Sequence, residues 1–358
     1  MRLTVLSMGY PFAQVSESTA GGAEQVLSTL DEALVRAGHR SIVIAPEGSR
    51  VRGVLLPTPG PPPHLDDQQH EIAVHRYRGA IRSALARFPI DVVHMHGLDF
   101  VEYLPEPGTP VLVTLHLPPA WYSREAFRLA RPDTHLICVS RSQASECPPG
   151  AEIRAIIGNG IRLQPFRQRR KRNYVMAMGR ICPEKGLHLA LDAATQSGLP
   201  LLLAGKVYGY PSHQTYFAEQ IRPRLGGGNR FLGEIGPGRK HRLLAGARCL
   251  LVPSLVPETS SLGVMEAMAS GTPIVAYRKG ALVELIEHGR TGFIVDSKDA
   301  MAAAIRATEH LDPRVCRRQA ELHFSAERMF EKYLFLYTQA AHAKSAPSSI
   351  VDVQQVLS

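Results

Sequence analysis

Short apolar runs alternate with amphipathic stretches along most of the chain. A helix over 23–37 follows the first apolar run and ends at Gly38, where a left-handed cap is common. The order strand, helix, strand predicts parallel sheets with crossover helices. The segment 53–63 is rich in proline and glycine and predicts an extended loop. The strands predicted in this half are 3–8, 41–45, 91–96, 111–116 and 135–140.

The same alternation starts again after residue 163 and predicts a second α/β domain. Its predicted strands are 174–181, 200–205, 230–235, 248–253, 272–277 and 292–295. Its predicted helices are 187–197, 213–224, 239–246, 261–270, 281–287 and 298–309. We therefore expect two Rossmann-like domains, 1–163 and 164–325, which bind ligands in a cleft at the carboxyl ends of their strands. A last helix over 326–341 has an apolar face that must pack on another element, and 342–358 reads as a tail.

Length and composition agree with two folded domains. The chain has 358 residues, 44% of them hydrophobic and 20% charged, which is typical of proteins with sizeable cores. Its five cysteines are scattered and form no Cys-x-x-Cys pair, which argues against a disulfide scaffold and a structural zinc site. Neither a signal peptide nor a membrane-spanning run is evident, so we expect a cytoplasmic protein.

The charge is strongly basic. Forty-one Lys and Arg face 32 Asp and Glu, a formal excess of +9 that suggests an anionic partner. Five cations fall within the six residues 167–172, which we assign to a linker between the domains. This cluster is either a solvated linker or a patch that contacts lipid or phosphate, which leaves open a peripheral contact with the inner face of a membrane.

The strongest candidate for chemistry is the segment 257–273. A buried strand ends in a proline-bounded loop, and a helix then starts near Ser260 or Ser261. Such a start presents free amides to a phosphate. Glu258 precedes it and Glu266 lies inside the helix, so that two carboxylates flank one anion-binding turn. Carboxylates accept hydrogen bonds from vicinal hydroxyls, which a nucleotide sugar offers on both sides of its diphosphate; a capping acid and a solvated helix acid are the alternative.

Cations for a diphosphate come from a second loop. Arg180 and Lys185 lie five residues apart in the turn that follows the strand 174–181, and together they can neutralise a phosphate pair. As isolated surface cations they carry no function. In combination with the two glutamates they favour a nucleotide-diphosphate site.

These motifs, together with Gly158-Asn159-Gly160-Ile161 and Gly21-Gly22-Ala23-Glu24, occur in the order of a known family. The chain resembles a retaining GT-B glycosyltransferase of the family 4 (group 1) type over about residues 1–340. The resemblance implies an acceptor-binding first domain, a donor-binding second domain and a final helix that crosses back to the first. It also implies a nucleotide-sugar donor, UDP- or GDP-linked, and a glycan, lipid-linked or natural-product acceptor, with no cofactor.

The resemblance also implies roles for single residues. Arg180 and Lys185 would neutralise the leaving diphosphate, Glu266 would bind the ribose and Glu258 a hydroxyl of the donor sugar. Backbone amides of Ser260, Ser261 and Leu262 would hold the phosphates or the sugar. Main-chain groups of Gly233 and Ile235 would border the nucleobase. One departure is Ser261, where many relatives have glycine.

The first half adds weaker candidates. Gly21 and Gly22 stand at a helix start, where a phosphate or a sugar can approach the backbone. His116 ends the strand 111–116, and similar enzymes have a histidine there that contacts the donor sugar. His96 is the second candidate histidine. A hydrogen-bonded histidine at a strand end is the alternative for both.

Asn159 belongs to the motif before the second domain and is a further candidate. His94 and His96 alternate on one strand and so share a face, but the sequence contains no Asp-x-Asp to complete a metal–diphosphate site. We therefore predict no metal and a metal-independent transfer of a hexose to an acceptor hydroxyl.

Two other functions stay open at this stage. A nucleotide-sugar epimerase of the GT-B fold uses the same kind of donor site. A basic two-domain protein could instead bind nucleic acid, although the sequence lacks a basic patch interleaved with aromatic residues, and we expect no nucleic acid partner. Base, sugar, acceptor, linkage and oligomeric state cannot be read from these residues.

Overall fold

The computed structural model describes residues 2–17, 19, 21–60, 62, 66–166 and 169–343. The chain forms two compact units. The first unit contains residues 1–159 and the segment from Ala326 onward, and the second unit contains residues 160–325. The contact boundary in the structure lies four residues before the predicted boundary at 163. Most of the predicted tail falls outside the described residues.

The first unit is built on a parallel sheet of seven strands in the order β3-β2-β1-β4-β5-β6-β7. Its central strands are fully buried, as expected for a parallel sheet covered on both faces. The strands are β1 Thr4–Met8, β2 Arg40–Pro46, β3 Val54–Thr58, β4 Val92–Met95, β5 Val111–Leu115, β6 Thr134–Cys138 and β7 Ile153–Ile156. The helices in this stretch are α1 Gly22–Arg36, α2 Asp67–Arg87 and α3 Arg141–Ser145, with short 3₁₀ segments at Phe100–Tyr103, Pro119–Trp121 and Arg124–Phe127.

The second unit has a parallel sheet of six strands in the order β10-β9-β8-β11-β12-β13. Its strands are β8 Val175–Met178, β9 Leu201–Ala204, β10 Arg230–Phe231, β11 Leu250–Val252, β12 Ile274–Tyr277 and β13 Gly292–Val295. Its helices are α4 Leu187–Ser197, α5 Pro211–Tyr216, α6 Pro237–Gly246, α7 Leu262–Ala269, α8 Leu282–Leu285, α9 Lys298–Ala307 and α10 Pro313–His323. A π-helical turn spans Phe217–Ile221, and 3₁₀ turns span Pro183–Lys185, Arg222–Arg224 and Thr308–His310.

The last helix, α11 Ala326–Ala343, belongs to the first unit. Its Tyr333 and Tyr337 are fully buried, and their hydroxyls bond to Thr114 on β5 (2.8 Å) and to Nδ1 of His94 on β4 (2.7 Å). The apolar face seen in the sequence therefore covers the first sheet. This return of the chain gives the two-domain α/β architecture of the GT-B fold. In the described part of the chain, every helix is too short or too polar to cross a bilayer.

The proline-rich segment 53–63 differs from the prediction. Val54–Thr58 forms the strand β3 and pairs in parallel with β2, with Pro57 opposite Ala45. A proline is tolerated there because β3 is the edge strand among the described strands, and prolines in sheets are found on edges. Residues 61 and 63 lie outside the described chain.

The cation cluster also differs from the prediction. Arg167 and Gln168 are outside the described residues, but 169–172 lie inside the second unit and not in a linker. The backbone N–H of Arg172 donates to the carbonyl of Gly246 (2.8 Å). Nζ of Lys171 donates to Oγ1 of Thr272 (2.7 Å). The segment is therefore anchored to α6 and to the turn before β12.

Candidate active site

The candidate donor loops lie at the point where the strand order of the second sheet reverses. β8 and β11 are neighbours, and the chain continues outward from them to opposite edges of the sheet. In open α/β sheets, ligands bind outside the carboxyl ends of the two strands at such a switch point. The turn 179–186 follows β8 and the loop 253–261 follows β11. The two predicted motifs thus meet at one edge.

Glu258 is held by two donors at this edge. Nζ of Lys185 lies 2.6 Å from Oε1 and 2.8 Å from Oε2 of Glu258, and the Ser254 hydroxyl donates to Oε1 at 2.5 Å. The side chains of Lys185 and Glu258 are 25% and 11% exposed, and Ser254 is fully buried. Lys185 therefore presents one positive charge to both the glutamate and the open edge. Ser254 is a partner that no motif in the sequence predicts.

Two glycines fix the loop that carries Glu258. At Gly186 the φ angle is +58°, and a Cβ would approach the carbonyl oxygen of Pro253 to 2.3 Å. At Gly280 the φ angle is +56°, and a Cβ would lie 2.3 Å from the carbonyl oxygen of Glu258. The backbone N–H of Ala281 donates to that same carbonyl at 2.7 Å. Both close approaches require glycine, and they set the position of Glu258 through its backbone.

The helix start predicted near Ser260 or Ser261 is confirmed. Ser261 caps α7, accepting a hydrogen bond from the N–H of Val264 (3.4 Å), and Leu262 is the first helical residue. The Ser260 hydroxyl is buried and has no partner among the described residues. Gly263 lies beside Met178 of β8, and a Cβ there would make an ordinary contact with that side chain at 3.4 Å. The first amides of α7 thus come directly after the loop that carries Glu258.

Glu266 has a lysine partner that the sequence analysis did not identify. Nζ of Lys240, on α6, lies 2.6 Å from Oε1 of Glu266, and the two side chains are 23% and 22% exposed. Each of the two candidate glutamates is therefore neutralised by its own lysine. This pairing removes most of the electrostatic cost of placing two carboxylates near an anionic ligand. Nothing in the spacing of the sequence links α6 to Glu266, because the contact is tertiary.

The remaining donor candidates surround the same edge. Arg180 follows β8 by two residues and is partly exposed; among the described residues its side chain forms no hydrogen bond or ion pair, and its charge acts on the nearby Glu184 carboxylate. Gly233 has φ +65°, and its carbonyl accepts the N–H of Gly205 at 2.9 Å. Ile235 packs at the border of the core between α6 and α7. Arg180 is thus a cation available to a ligand.

In the first unit, β1 and β4 form the equivalent switch point. Gly21 precedes α1, and its carbonyl accepts the N–H of Gln25 (3.2 Å), while Gly22 is the first residue of the helix. A Cβ on Gly21 would collide with the carboxylate of Glu24 at 1.8 Å. Burial raises the pKa of Glu24. The glycine loop therefore covers a buried acid at the start of α1.

Three histidines form a row near the carboxyl ends of β4 and β5. The rings of His94 and His96 lie 4.0 Å apart, which confirms that they share a face, and Nδ1 of His96 lies 2.9 Å from Nε2 of His116. Both nitrogens of His94 are engaged, with Tyr337 and with Thr114 (2.8 Å). His94 therefore has no nitrogen left for a metal.

Burial keeps this row uncharged. It lowers the pKa of His94 and of His116 to about 3, and that of His96 well below its usual value. His116 is partly exposed at the end of β5, whereas His96 is 3% exposed and its Nε2 has no partner in the described chain. Both serve as neutral hydrogen-bonding groups. Asn159 is the last residue of the N-terminal segment of the first unit; it is buried, and its Oδ1 also lacks a described partner.

The basic cluster lines a groove of about 880 Å³ in the second unit. The described side chains that line it include six cations and no carboxylate. Burial lowers the pKa of Lys171 to about 8. The cations are Arg169, Arg170, Lys171, Arg172, Arg239 and Arg242. Much of the excess charge is thus concentrated on one face of the unit.

Comparison with known proteins assigns both halves of the chain. Residues 20–164 match the model for Glycosyltransferase Family 4, and residues 162–322 match that for Glycosyl transferases group 1. A glycogen synthase of Mycobacterium tuberculosis is 27% identical over 89% of this chain and 88% of its own length.

Solved structures agree in fold. The glycosyltransferase AviGT4, involved in avilamycin A biosynthesis, is 25% identical with a TM-score of 0.73, covering 95% of this chain and 98% of its own. HepE of Anabaena, solved with UDP-glucose, has a TM-score of 0.71 at 18% identity, covering 94% of this chain and all of its own. The chain belongs to the GT-B glycosyltransferases of the group 1, family 4 type.

Proposed function

We propose that this glycosyltransferase moves a hexose from a UDP- or GDP-linked sugar to an acceptor hydroxyl, with retention at the anomeric carbon and without a metal ion at the diphosphate. The arrangement of Lys185, Glu258 and Ser254 beside the start of α7 carries the proposal. It joins a cation and free helix amides, which suit a diphosphate, to a fixed carboxylate, which suits a sugar hydroxyl. The structure of HepE with UDP-glucose supports a donor of this class.

The leaving diphosphate needs positive groups that are in place before the reaction. Lys185 is fixed by its ion pair with Glu258, Arg180 is available to a ligand, and the amides at Ser261 and Leu262 begin α7. Preorganised donors of this kind stabilise charge that develops in the transition state. Glu266, which pairs with Lys240, is the residue that we propose accepts hydrogen bonds from the ribose hydroxyls.

The acceptor oxygen attacks the anomeric carbon from the same face of the sugar from which the diphosphate departs. The bond from the anomeric carbon to the phosphate oxygen breaks, the acceptor oxygen bonds to that carbon, and the acceptor proton passes to the departing phosphate oxygen. No covalent intermediate with the protein is required. Glu258 orients a sugar hydroxyl, and the family resemblance assigns a sugar contact to His116, whose pKa is lowered to about 3 by desolvation so that it stays neutral. The first unit binds the acceptor near the loop at Gly21 and Gly22.

A ligand screen tests the donor. A donor raises the melting temperature of the protein in proportion to the logarithm of its concentration over its Kd. We expect UDP- or GDP-sugars to stabilise the chain more than ADP- or dTDP-sugars. Incubation of the best donor with candidate acceptors should release the nucleoside diphosphate and place labelled sugar on the acceptor. Conversion of the donor to a second nucleotide sugar would instead show an epimerase.

Variants test the assigned residues. Lys185→Ala and Glu258→Gln should each lower turnover about 100-fold or more, because each removes a group that acts in the transition state. Arg290→Ala is the control, since Arg290 pairs with Glu287 before β13, at the opposite end of the sheet. Turnover of Lys185→Ala or Glu258→Gln close to that of Arg290→Ala would contradict the assignment.

A further inference from the structure

A second cluster of side chains lies beside the donor turn and takes no part in the proposed transfer. Cys182 and Glu184 belong to the turn after β8, and His213 lies on α5. One donor atom from each residue lies within 4.8 Å of the other two. Cys182 is fully buried and His213 is 7% exposed. Across the described residues, this is the one group of three or more His, Cys, Asp or Glu side chains so arranged.

Two atoms of this cluster lack hydrogen bonds. Oε2 of Glu184 and Nδ1 of His213 are buried, and neither atom makes a hydrogen bond of good geometry in the described chain, while the Cys182 thiol lies close enough to interact with the Glu184 carboxylate. A buried polar atom without a partner destabilises the folded chain, so two such atoms next to one thiol call for a common ligand. A cation bound between them satisfies both and also uses the sulfur of Cys182.

The donor set selects the kind of cation. A thiolate, an imidazole and a carboxylate are ligands of Zn²⁺, and three protein ligands leave the fourth position of a tetrahedron for water. Bonds of about 2.0–2.3 Å separate tetrahedral ligands by roughly 3.3–3.8 Å, so side-chain adjustments of about 1 Å complete the site. We propose that Cys182, Glu184 and His213 bind a zinc ion.

The net charge of the site suits its surroundings. A thiolate and a carboxylate neutralise Zn²⁺ completely, so the ion adds no charge beside Arg180 and Lys185. The lack of Cys-x-x-Cys pairs argued against structural zinc in the sequence. A search for Cys-x-x-Cys does not detect this site, because the site uses a single cysteine. Its histidine lies in a different element, 31 residues after Cys182.

The ion would join two elements. It links the turn 182–184 to α5, and the carbonyl of Glu184 accepts the N–H of Leu255 (2.8 Å), in the loop that leads to Glu258. Zinc therefore braces the turn that carries Lys185 and has no part in the chemical step. The existence of the site is independent of the proposed transfer. Only its effect on donor binding depends on that function.

Metal binding is measured on the full chain. Protein freed of metal with a chelator is titrated with Co²⁺, which reports a thiolate ligand through a sulfur-to-cobalt charge-transfer band. We expect one Co²⁺ per chain, displaced by one Zn²⁺. X-ray absorption of the zinc form should show one sulfur at about 2.3 Å and nitrogen or oxygen neighbours at about 2.0–2.1 Å. Both measurements use the unchanged chain, so the misfolding of a variant cannot affect their result.

Variants locate the site. Cys182→Ser should abolish the charge-transfer band, and His213→Ala and Glu184→Gln should each weaken Co²⁺ binding at least tenfold. Cys249→Ser is the control, because Cys249 is also fully buried in the second unit but lies outside the cluster. Absence of stoichiometric metal, which would leave a hydrated polar cluster, overturns the proposal.

Two further results would also overturn it. A band that survives Cys182→Ser places the metal elsewhere. Two sulfur neighbours would point to Cys138 and Cys147, whose sulfurs lie 3.8 Å apart in the first unit. Either result leaves the proposed transfer untouched, because the donor screen uses protein without added metal. Conversely, stoichiometric zinc on Cys182 would stand even if no donor bound.

Discussion

The ion pair between Lys185 and Glu258 makes a prediction about the protein without ligand. At an effective dielectric constant of about 20, two unit charges at the observed 2.6 Å attract each other by about 6 kcal/mol. Desolvation offsets much of this attraction. Removing one partner leaves the other charge unpaired, which costs about 3–5 kcal/mol in a fully buried site. Because these side chains are 25% and 11% exposed, we expect about 2–3 kcal/mol.

Melting curves of the full chain measure this cost. For a unit of this size, a loss of 1 kcal/mol lowers the melting temperature by about 2–4 °C. Lys185→Met and Glu258→Gln should each lower the melting temperature of the second unit by about 4–12 °C. The double variant should lose at least about 1 kcal/mol less free energy of unfolding than the two single variants lose together, since it leaves no unpaired charge.

The exposed pair of Lys206 and Glu234 provides the matched control. Its charges are 3.6 Å apart, and its side chains are 45% and 58% exposed. The cycle of Lys206→Met and Glu234→Gln should give a coupling of about 0–0.5 kcal/mol. If the losses at Lys185 and Glu258 also add within about 0.5 kcal/mol, the two residues do not act as a pair, and the reasoning about a preset cation fails.

Three further predictions concern other parts of the chain. Gly280→Ala should reduce turnover and stability because its Cβ meets the Glu258 backbone, whereas Gly289→Ala, with the same left-handed backbone but open space, should affect stability alone; equal turnover in the two variants would contradict this. Burial holds the pKa of His94 at about 3 in the folded state, so an unfolded chain takes up one more proton at this residue below about pH 6.5. The free energy of unfolding therefore carries no penalty from His94 above that pH and falls by about 1.4 kcal/mol per pH unit toward pH 3. Urea unfolding at several pH values should show a weaker dependence of this free energy on pH for His94→Gln than for the unchanged chain. An equal dependence would refute this. Tyr337→Phe should cost about 1–3 kcal/mol in the same assay, because it leaves Nδ1 of His94 without a partner; a cost near zero would show that this hydrogen bond contributes little.

The sequence predicts the central strands well because they are buried on both faces and read as continuous apolar runs. It misses the edges, where a strand such as Val54–Thr58 contains a proline and little apolar pattern. It also misses α2, a helix of 21 residues of which four are buried. A long polar helix leaves only a weak periodic signal.

The candidate site shows the same division. The loops around Lys185 and Glu258 follow strands and carry motifs, so the sequence predicts both residues and their common edge. Their partners Ser254 and Lys240, and the meeting of Cys182 with His213, depend on how separate elements pack. No spacing rule contains that information. The contact between Lys240 and Glu266, for example, joins two helices across 26 residues.

The return of α11 to the first sheet sets an order for folding during synthesis. Residues 160–325 are contiguous and can complete their unit as soon as they have left the ribosome. The first segment emerges earlier, yet His94 and Thr114 receive Tyr337 and Tyr333 only after a further 243 and 219 residues. The N-terminal half therefore waits in an incomplete state while the later half folds. A released chain that ends before Tyr333 would contain all of 160–325 but would lack the two hydroxyls that bond to His94 and Thr114.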